Sequence, residues 1–192
     1  MSNAIILTGG IAAGKSSASN ILKSLGFSII DADAISHKAL EQMEREVIAV
    51  FGSNITINGK ISRPKLGKLI FNNKKLKLKL ESILHPLIFA QIKQEQAILE
   101  AQNKPFFIDI PIFFEIHGWH IFNFRSILCI ICEPNIQLIR LFKRGLSFHE
   151  AKSRMKSQLK MKQKAKMSDF VIQNNASFED FTRQIRSFAQ NL

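Results

Sequence analysis

The sequence predicts an α/β fold built around an open sheet of five parallel strands. Short apolar runs alternate with stretches of helical periodicity along the 192 residues, an order typical of a parallel sheet covered by helices. A glycine-rich segment also separates the first predicted strand from the first predicted helix. The length corresponds to roughly one to one and a half typical domains, so we expect one compact domain over residues 1–192.

Composition and charge narrow the class of protein. Hydrophobic residues make up 46% and charged residues 22% of the chain, which is ordinary globular usage and excludes a disordered or fibrous protein. The apolar run at 4–7 is too short for a signal peptide, and no run approaches the about 20 apolar residues that span a bilayer. We therefore expect a cytoplasmic protein without a membrane partner. The net charge of +12 indicates an anionic partner: a nucleotide, a nucleic acid or an acidic lipid.

The first elements alternate between strand and helix. A strand is predicted over 4–8 and a helix over 15–25, where apolar residues recur at steps of three and four and Gly26 stands at the position of a C-terminal cap. A second strand is predicted over 27–31, and a long helical stretch over about 34–50.

The middle of the chain predicts a hairpin and then helices. The dipeptide Asn58-Gly59 between two short apolar runs is typical of a tight hairpin turn. The region after it to about residue 102 is predicted to be helical and broken at His85-Pro86, because a proline ring disfavours the helical conformation of the residue before it. Three further strands and a terminal helix follow, at 106–110, 127–132, 170–172 and from residue 177.

The strongest chemical signal is the segment Gly9-Gly-Ile-Ala-Ala-Gly14-Lys15-Ser16, which fits the phosphate-loop pattern between a strand and a helix. In such a loop the backbone N–H groups and the helix N-terminus bind phosphates, a lysine reaches the β- and γ-phosphates, and a serine ligates Mg²⁺. The predicted nucleotide contacts are therefore Gly9, Gly10, Ile11, Ala12, Ala13, Gly14, Lys15, Ser16 and Ser17. The loop leaves open whether the γ-phosphate goes to water, to a metabolite or into mechanical work.

Further segments indicate which group receives the γ-phosphate, because they resemble a known family. They are Leu7-Thr-Gly-Gly-Ile11, Ile30-Asp-Ala-Asp33, Ile61-Ser-Arg63, Ile83-Leu-His-Pro-Leu-Ile88, Asp109-Ile-Pro-Ile-Phe-Phe-Glu115, Gln137-Leu-Ile-Arg140, Gln158 and Ser168-Asp-Phe-Val-Ile-Gln-Asn174. With the phosphate loop, they make nearly the whole chain resemble the dephospho-CoA kinases. The resemblance implies a P-loop kinase that uses ATP and Mg²⁺ to phosphorylate the ribose 3′-hydroxyl of dephospho-CoA, the last step of coenzyme A synthesis.

The resemblance also implies an architecture. It is a three-layer α/β/α P-loop kinase with a five-stranded parallel sheet, a helical substrate lobe and a lid. On this interpretation the core comprises 1–59, 104–139 and 168–192, the helical acceptor lobe about 60–103, and the lid about 140–167. We expect a monomer whose partners are ATP and dephospho-CoA, with no nucleic acid.

Asp33 is the predicted general base. It follows the second strand at the edge where open α/β sheets bind ligands, so its carboxylate is expected to face the phosphate loop. Asp31 would support it; the alternative is that both carboxylates cap the following helix. Asp109 follows an apolar strand, as a magnesium-binding aspartate does, so Asp109 and Ser16 are the predicted Mg²⁺ ligands. The alternative is that Asp109 has only a structural role in the turn before Pro111.

The remaining roles are implied by the resemblance. Lys15 and Arg140 join Asp33 in catalysis, and Arg140 and Arg144 bind ATP. The implied acceptor contacts are Thr8, Asp31, Asp33, Arg63, His85, Pro111 and Glu115.

The chain differs from the usual family pattern at a few of these positions. Ala12 and Ser17 stand where glycine and threonine are usual, and Lys164 replaces a common arginine. If the loop needs a positive φ at position 12, an alanine there costs about 1 kcal/mol.

Two basic runs without acidic residues, at 60–79 and 152–166, concentrate the positive charge. In the second run Lys152, Lys156, Lys160 and Lys164 follow a four-residue step, which predicts one charged stripe on a helix. That stripe indicates either a lid helix that closes over ATP or a solvated basic face. Two other functions stay open: a kinase for a different nucleoside or small metabolite, and a nucleic-acid-associated ATP-binding module. The second is disfavoured because the basic runs hold no series of aromatic residues to stack on bases.

Overall fold

The computed structural model describes residues 2–71 and 73–192. The chain divides into two compact units. The first unit comprises Met1–Asp31 and Gln96–Leu192, and the second comprises Ala32–Glu95. The prediction of a core, an acceptor lobe and a lid concerns function and stays a prediction.

Strands and helices alternate through most of the described residues. The strands are β1 (Ala4–Gly9), β2 (Ile29–Asp31), β3 (Thr56–Ile57), β4 (Lys60–Ile61), β5 (Phe106–Asp109), β6 (Ser126–Ile131) and β7 (Phe170–Gln173). The helices are α1 (Lys15–Ser24), α2 (Ala32–Gln42), α3 (Glu44–Phe51), α4 (Arg63–Phe71), α5 (Lys74–Glu100), α6 (Pro134–Phe142), α7 (Phe148–Lys156), α8 (Met161–Lys166) and α9 (Phe178–Ala189).

The first unit is organised by a five-stranded sheet in the order β2-β5-β1-β6-β7. Every neighbouring pair of its strands is parallel, so the predicted sheet is confirmed. Ile5 and Leu7 of the central strand are fully buried in a cluster with residues of α1 and α9. Because the strands are parallel, β1, β2 and β5 all end at the same edge of the sheet, the edge at which open α/β sheets bind ligands.

Helix α1 forms as its sequence predicts. Ala18 and Leu22 are fully buried on its apolar face. The chain leaves the helix through Gly26, whose φ of 91° is a conformation that glycine adopts without strain, and the Phe27 N–H donates back to the Leu22 carbonyl at 3.1 Å. The chain is thereby directed into β2.

The second unit holds α2, α3, the β3–β4 hairpin, α4 and most of α5. The predicted hairpin is confirmed: Asn58 and Gly59 both have positive φ, at 51° and 78°, as a tight turn between antiparallel strands requires. The helical stretch predicted over about 34–50 is confirmed, but it forms two helices, because α2 ends at Gln42 and α3 begins at Glu44.

The predicted helix break at His85-Pro86 is wrong, because α5 continues through Pro86. A proline inside a helix costs about 3 kcal/mol through a lost hydrogen bond and a steric clash. Here an apolar stripe with a four-residue step, at Leu80, Leu84, Ile88 and Ile92, is buried on both sides of the proline. Burial of one such side chain contributes about 1.5–3 kcal/mol, so the stripe outweighs the local penalty.

The predicted lysine stripe is wrong. Helix α7 ends at Lys156 and α8 begins only at Met161, so the four lysines do not share one helix. Lys152, Lys156 and Lys160 are exposed, whereas Lys164 is fully buried. A four-residue step predicts a common face only where the helix is continuous.

Two further observations concern the cysteines and membrane spans. Cys129 lies within β6 and Cys132 directly follows the strand, and both are free and buried. Burial raises the pKa of the Cys129 thiol to about 11, so this thiol stays protonated and unreactive at neutral pH. Among the described residues, no helix is both long and apolar enough to cross a membrane.

Candidate active site

The phosphate loop joins β1 to α1 at the carboxyl edge of the sheet. Its turn is closed by the Ala13 N–H, which donates to the Gly10 carbonyl at 3.1 Å. Gly14, with a φ of 107°, precedes the first residue of α1, and a methyl group there would collide with the side-chain amide of Asn174. Only glycine fits this position, and the helix N-terminus that follows it attracts anions.

Three consecutive loop carbonyls are held by side chains from outside the loop. Gln137 donates to the Ile11 carbonyl at 2.7 Å, Arg140 donates to the carbonyls of Ala12 at 3.3 Å and Ala13 at 3.2 Å, and Asn174 donates to Ala13 at 2.9 Å. In a trans peptide the C=O and the following N–H point in opposite directions. The held carbonyls of Ile11 and Ala13 therefore aim the N–H groups of Ala12 and Gly14 to the opposite side, where a phosphate can accept from them.

Arg140 acts on the carbonyl side of this loop. Besides its two loop contacts, its Nη2 donates to the backbone and side-chain oxygens of Asn174, both at 3.1 Å. The guanidinium thus ties α6, the loop and the end of β7 together. Arg144, its predicted companion, is exposed in the turn after α6.

Exchanging Arg140 for lysine should weaken ATP binding about tenfold, because a lysine cannot reproduce the flat fork that holds adjacent carbonyls. Isothermal titration with ATP measures the change. Arg45→Lys, the same substitution at an exposed position of α3, is the matched control and should bind ATP as the wild type does. Equal affinities for Arg140→Lys and the wild type would contradict this role.

Lys15 and Asp109 form an ion pair at the loop. The Lys15 ammonium donates to Oδ1 of Asp109, and both side chains are largely buried, 14% and 5% exposed. Asp109 is the last residue of β5 and lies in register with Asp31, the last residue of β2. Two carboxylate residues thus end neighbouring strands beside the loop.

This edge suits Mg²⁺. The candidate donors are oxygens, from the carboxylate of Asp109 and the hydroxyl of Ser16 in the first turn of α1, and oxygen is the ligand that Mg²⁺ prefers. In the described part of the chain no three His, Cys, Asp or Glu side chains gather as a metal cage. Magnesium in kinases is held by one or two carboxylates and by substrate phosphates, so this small donor set fits it.

Thr8 and Pro111, two predicted acceptor contacts, lie together behind the loop. Thr8 is fully buried, and its hydroxyl donates to the Pro111 carbonyl at 3.2 Å. The same carbonyl accepts from Lys164 at 2.9 Å. Glu115, further along the connection after β5, pairs with Lys164 at 2.9 Å and accepts the Leu159 N–H at 2.9 Å.

The other predicted acceptor residues belong to the second unit. Asp33 is exposed in the first turn of α2, where a carboxylate also stabilises the helix dipole. His37 lies one turn later on the same helix, and its Nε2 contacts the guanidinium of Arg63. His85 lies in α5 beside Phe89, and burial lowers its imidazole pKa below the usual value, which favours the neutral ring at neutral pH.

Comparison with known proteins assigns the chain to a family. The family model described as dephospho-CoA kinase matches residues 3–180. The chain belongs to the dephospho-CoA kinase family. Enzymes of this family phosphorylate dephospho-CoA with ATP in the final step of coenzyme A synthesis, so the predicted family and its activity are confirmed.

Individual relatives of the family match along nearly their whole length. The dephospho-CoA kinase of Wolinella succinogenes is 36% identical over 190 residues, which are 98% of this chain and 94% of the relative. A dephospho-CoA kinase structure from Campylobacter jejuni is 36% identical with a TM-score of 0.70, covering 99% of this chain and 97% of its own. A crystal structure of a Thermus thermophilus protein has a TM-score of 0.85 at 29% identity, covering 98% and 97%. The predicted P-loop kinase fold is thereby confirmed.

Sequence reasoning missed several residues that shape the loop. They are Gln137, Gln158, Lys164 and Asn174, all of which contact loop residues. In the second unit, sequence reasoning also missed His37, which contacts Arg63. Gln137, Gln158 and Asn174 lie within segments that carried the family resemblance, which is the one signal that pointed to them. Their task, holding backbone groups, imposes no residue pattern of its own.

Ala12 adopts the left-handed conformation that the sequence raised as a possibility, with a φ of 59°. Its methyl group is buried in a small cluster with Leu141 and Ala151. Replacing Ala12 by glycine relieves about 1 kcal/mol of backbone strain. It also removes a buried methyl group that contributes about 0.8 kcal/mol, and it raises the conformational entropy of the unfolded chain, which opposes folding. We expect the unfolding free energy in urea to change by less than about 1 kcal/mol.

A second variant at the same site makes that expectation testable. Ala12→Val should destabilise the chain by more than about 2 kcal/mol, because a β-branched side chain at positive φ is strongly strained. Equal stability of the valine variant and the wild type would show that the loop does not hold this conformation in solution.

Proposed function

We propose that this chain transfers the γ-phosphoryl group of ATP to the ribose 3′-hydroxyl of dephospho-CoA, giving ADP and coenzyme A. The observation that carries the proposal is the phosphate loop of residues 9–16. Its carbonyls accept hydrogen bonds from the side chains of Gln137, Arg140 and Asn174. The chain that carries this loop belongs to the dephospho-CoA kinase family. Such a loop supplies preorganised N–H donors for triphosphate oxygens.

Nucleotide binding is assigned to residues 9–17. Within them, Lys15 exchanges its partner: the ammonium leaves Asp109 and donates to the β- and γ-phosphate oxygens. Arg140 keeps the cradle rigid, and Arg144 from the turn after α6 adds positive charge. Together these residues neutralise the charge that spreads over the transferring phosphoryl group.

Magnesium is assigned to Ser16 and Asp109. Once Lys15 turns to the phosphates, the Asp109 carboxylate is left with negative charge at the edge of the sheet. A bound Mg²⁺ supplies charge neutralisation and alignment of the β- and γ-phosphates. The hydroxyl of Ser16 and the carboxylate of Asp109 would hold it, directly or through water.

The proton acceptor for the ribose hydroxyl is assigned to Asp33. Asp33 takes the proton of the ribose hydroxyl as that oxygen attacks phosphorus, and Asp31 supports it. Because the carboxylate of Asp33 is exposed, it is available to a substrate. The other proposed acceptor contacts are Thr8, Arg63, His85, Pro111 and Glu115. Of these, Thr8 is buried, so its part is to fix the Pro111 carbonyl.

The same proposal includes the domain roles and the state of the protein. Residues 60–103 form the acceptor lobe, and about 140–167 form the lid over ATP. The protein acts in the cytoplasm as a monomer. Size-exclusion chromatography with light scattering tests the monomer directly: a mass near 21.8 kDa is expected, and twice that mass would contradict it.

An acceptor panel tests the proposed reaction. ADP release from ATP and Mg²⁺ is followed with dephospho-CoA, adenosine, pantothenate, short RNA or buffer. We expect turnover only with dephospho-CoA. Turnover with adenosine or pantothenate instead would keep the kinase fold and overturn the substrate, and stimulation by RNA would favour the nucleic-acid-associated module.

A further inference from the structure

Lys164 is a fully buried lysine in α8. Its ammonium has three donors, and three acceptors surround it: the Gly9 carbonyl at 3.3 Å, the Pro111 carbonyl at 2.9 Å and Oε1 of Glu115 at 2.9 Å. Every donor is used inside the protein. Gly9 is the first residue of the phosphate loop and the last residue of β1, and Pro111 lies two residues after Asp109, the last residue of β5. The Lys164 ammonium therefore connects the carboxyl ends of β1 and β5 to α8.

Glu115 completes a second connection to the same segment. Its Oε1 accepts both the Lys164 ammonium and the Leu159 N–H, at 2.9 Å each. Its Oε2 is buried and has no hydrogen-bond partner among the described residues. A buried carboxylate of this kind depends on its cation, because an unpaired charge is costly to keep away from water. The pair therefore fixes the link between α7 and α8.

The segment that this pair fixes, residues 158–164, runs along the first half of the phosphate loop. Gln158 accepts the Ile11 N–H at 2.8 Å. A methyl group on Gly10 would lie 2.5 Å from Cε of Met161, so the methionine covers that glycine closely. Together with the Lys164 contact to Gly9, the segment touches three successive loop residues.

We infer that Lys164, paired with Glu115, is a positioning residue for ATP binding. The ion pair holds residues 158–164 against the loop, and this contact keeps the peptide groups of Gly9, Gly10 and Ile11 in the orientation that phosphate binding needs. Lys164 itself touches no phosphate, since it is buried behind the loop. The inference rests on the proposed function only in taking ATP as the ligand.

The test measures ATP affinity and local amide exchange in the full chain. The variants are Lys164→Met, Glu115→Gln and the double variant, and the matched control is Lys104→Met, which removes an exposed lysine of the same unit outside the proposed lid. We expect Lys164→Met to raise the ATP dissociation constant at least about tenfold. Amide exchange in residues 9–13 and 157–164 should speed up by a similar factor while β6 keeps its protection.

The other variants keep the inference falsifiable if Lys164→Met folds poorly. Glu115→Gln retains the size of the side chain and an oxygen for the Leu159 N–H, and it should weaken ATP binding in the same direction. The double variant leaves no unpaired charge, so its loss of affinity should be smaller than the product of the two single losses. Lys104→Met should bind ATP like the wild type.

Two results would overturn the inference. One is wild-type ATP affinity in both single variants. The other is a uniform rise of exchange across the whole chain, which would mean that the pair only stabilises the fold. Because neither readout uses dephospho-CoA, failure of the proposed acceptor leaves this test intact, and failure here leaves the acceptor panel intact.

Discussion

Replacing Asp33 by asparagine should lower the rate of phosphoryl transfer to dephospho-CoA by about 10²- to 10⁴-fold and leave ATP affinity nearly unchanged. An asparagine amide has the size of the carboxylate but cannot accept the proton of the ribose hydroxyl. The lysine and backbone donors that we propose to bind ATP belong to residues 9–17, and this substitution leaves them unchanged. Steady-state ADP release gives kcat, and titration calorimetry gives the ATP dissociation constant.

The competing interpretation of Asp33 makes a different prediction. If its carboxylate only stabilises the first turn of α2, its loss costs about 0.3–1 kcal/mol of unfolding free energy and little activity. Glu41→Gln, at an exposed position of the same helix, is the matched control and should keep the wild-type kcat. A kcat within a factor of a few of the wild type in Asp33→Asn would refute the assignment of the base. Equal losses of kcat and ATP affinity would refute it as well.

Changing Lys15 to methionine should lower kcat/KM for ATP by about 10³-fold or more, because the positive charge at the β- and γ-phosphates disappears. The partner variant Asp109→Asn separates the two halves of the ion pair. Without its carboxylate partner, Lys15 is released toward phosphate, so ATP binding without Mg²⁺ should tighten while the dependence of kcat on Mg²⁺ weakens. Titration of ATP with and without Mg²⁺ measures both effects.

A matched control makes the Lys15 result specific. Lys23→Met removes a lysine from the last turn of the same helix α1 and should leave kcat/KM unchanged. If Asp109→Asn bound ATP without Mg²⁺ more weakly than the wild type, the ion pair would not compete with nucleotide. The structural interpretation of Asp109 as a turn residue before Pro111 would then be favoured.

The sheet and the phosphate loop could be predicted because their signals are local. An apolar strand such as β1 is short and continuous, and the loop requires Gly14, Lys15 and Ser16 at fixed spacing. Backbone N–H groups bind phosphate only if the glycine conformation and the helix start are both present. The hairpin at Asn58-Gly59 was predictable for the same reason, since positive φ at both positions restricts the residue choice.

Other features depended on packing that no local pattern records. Pro86 opposes a helix locally, but the burial of Leu84 and Ile88 on either side keeps α5 continuous. Lys164 has the spacing of a surface lysine, and its burial depends on Glu115, far away in the sequence. The role of the loop carbonyls was equally hidden, because a glutamine or an asparagine that holds a backbone group can occupy many positions.

The structure of the reaction product tests the central claim most directly. The protein is incubated with ATP, Mg²⁺ and dephospho-CoA, and the product is analysed by tandem mass spectrometry and phosphorus NMR. The account predicts one added phosphomonoester on the 3′-oxygen of the adenosine ribose, formed in equal amount to ADP. ADP formed without a new phosphomonoester, or a phosphate at any other position, would contradict it.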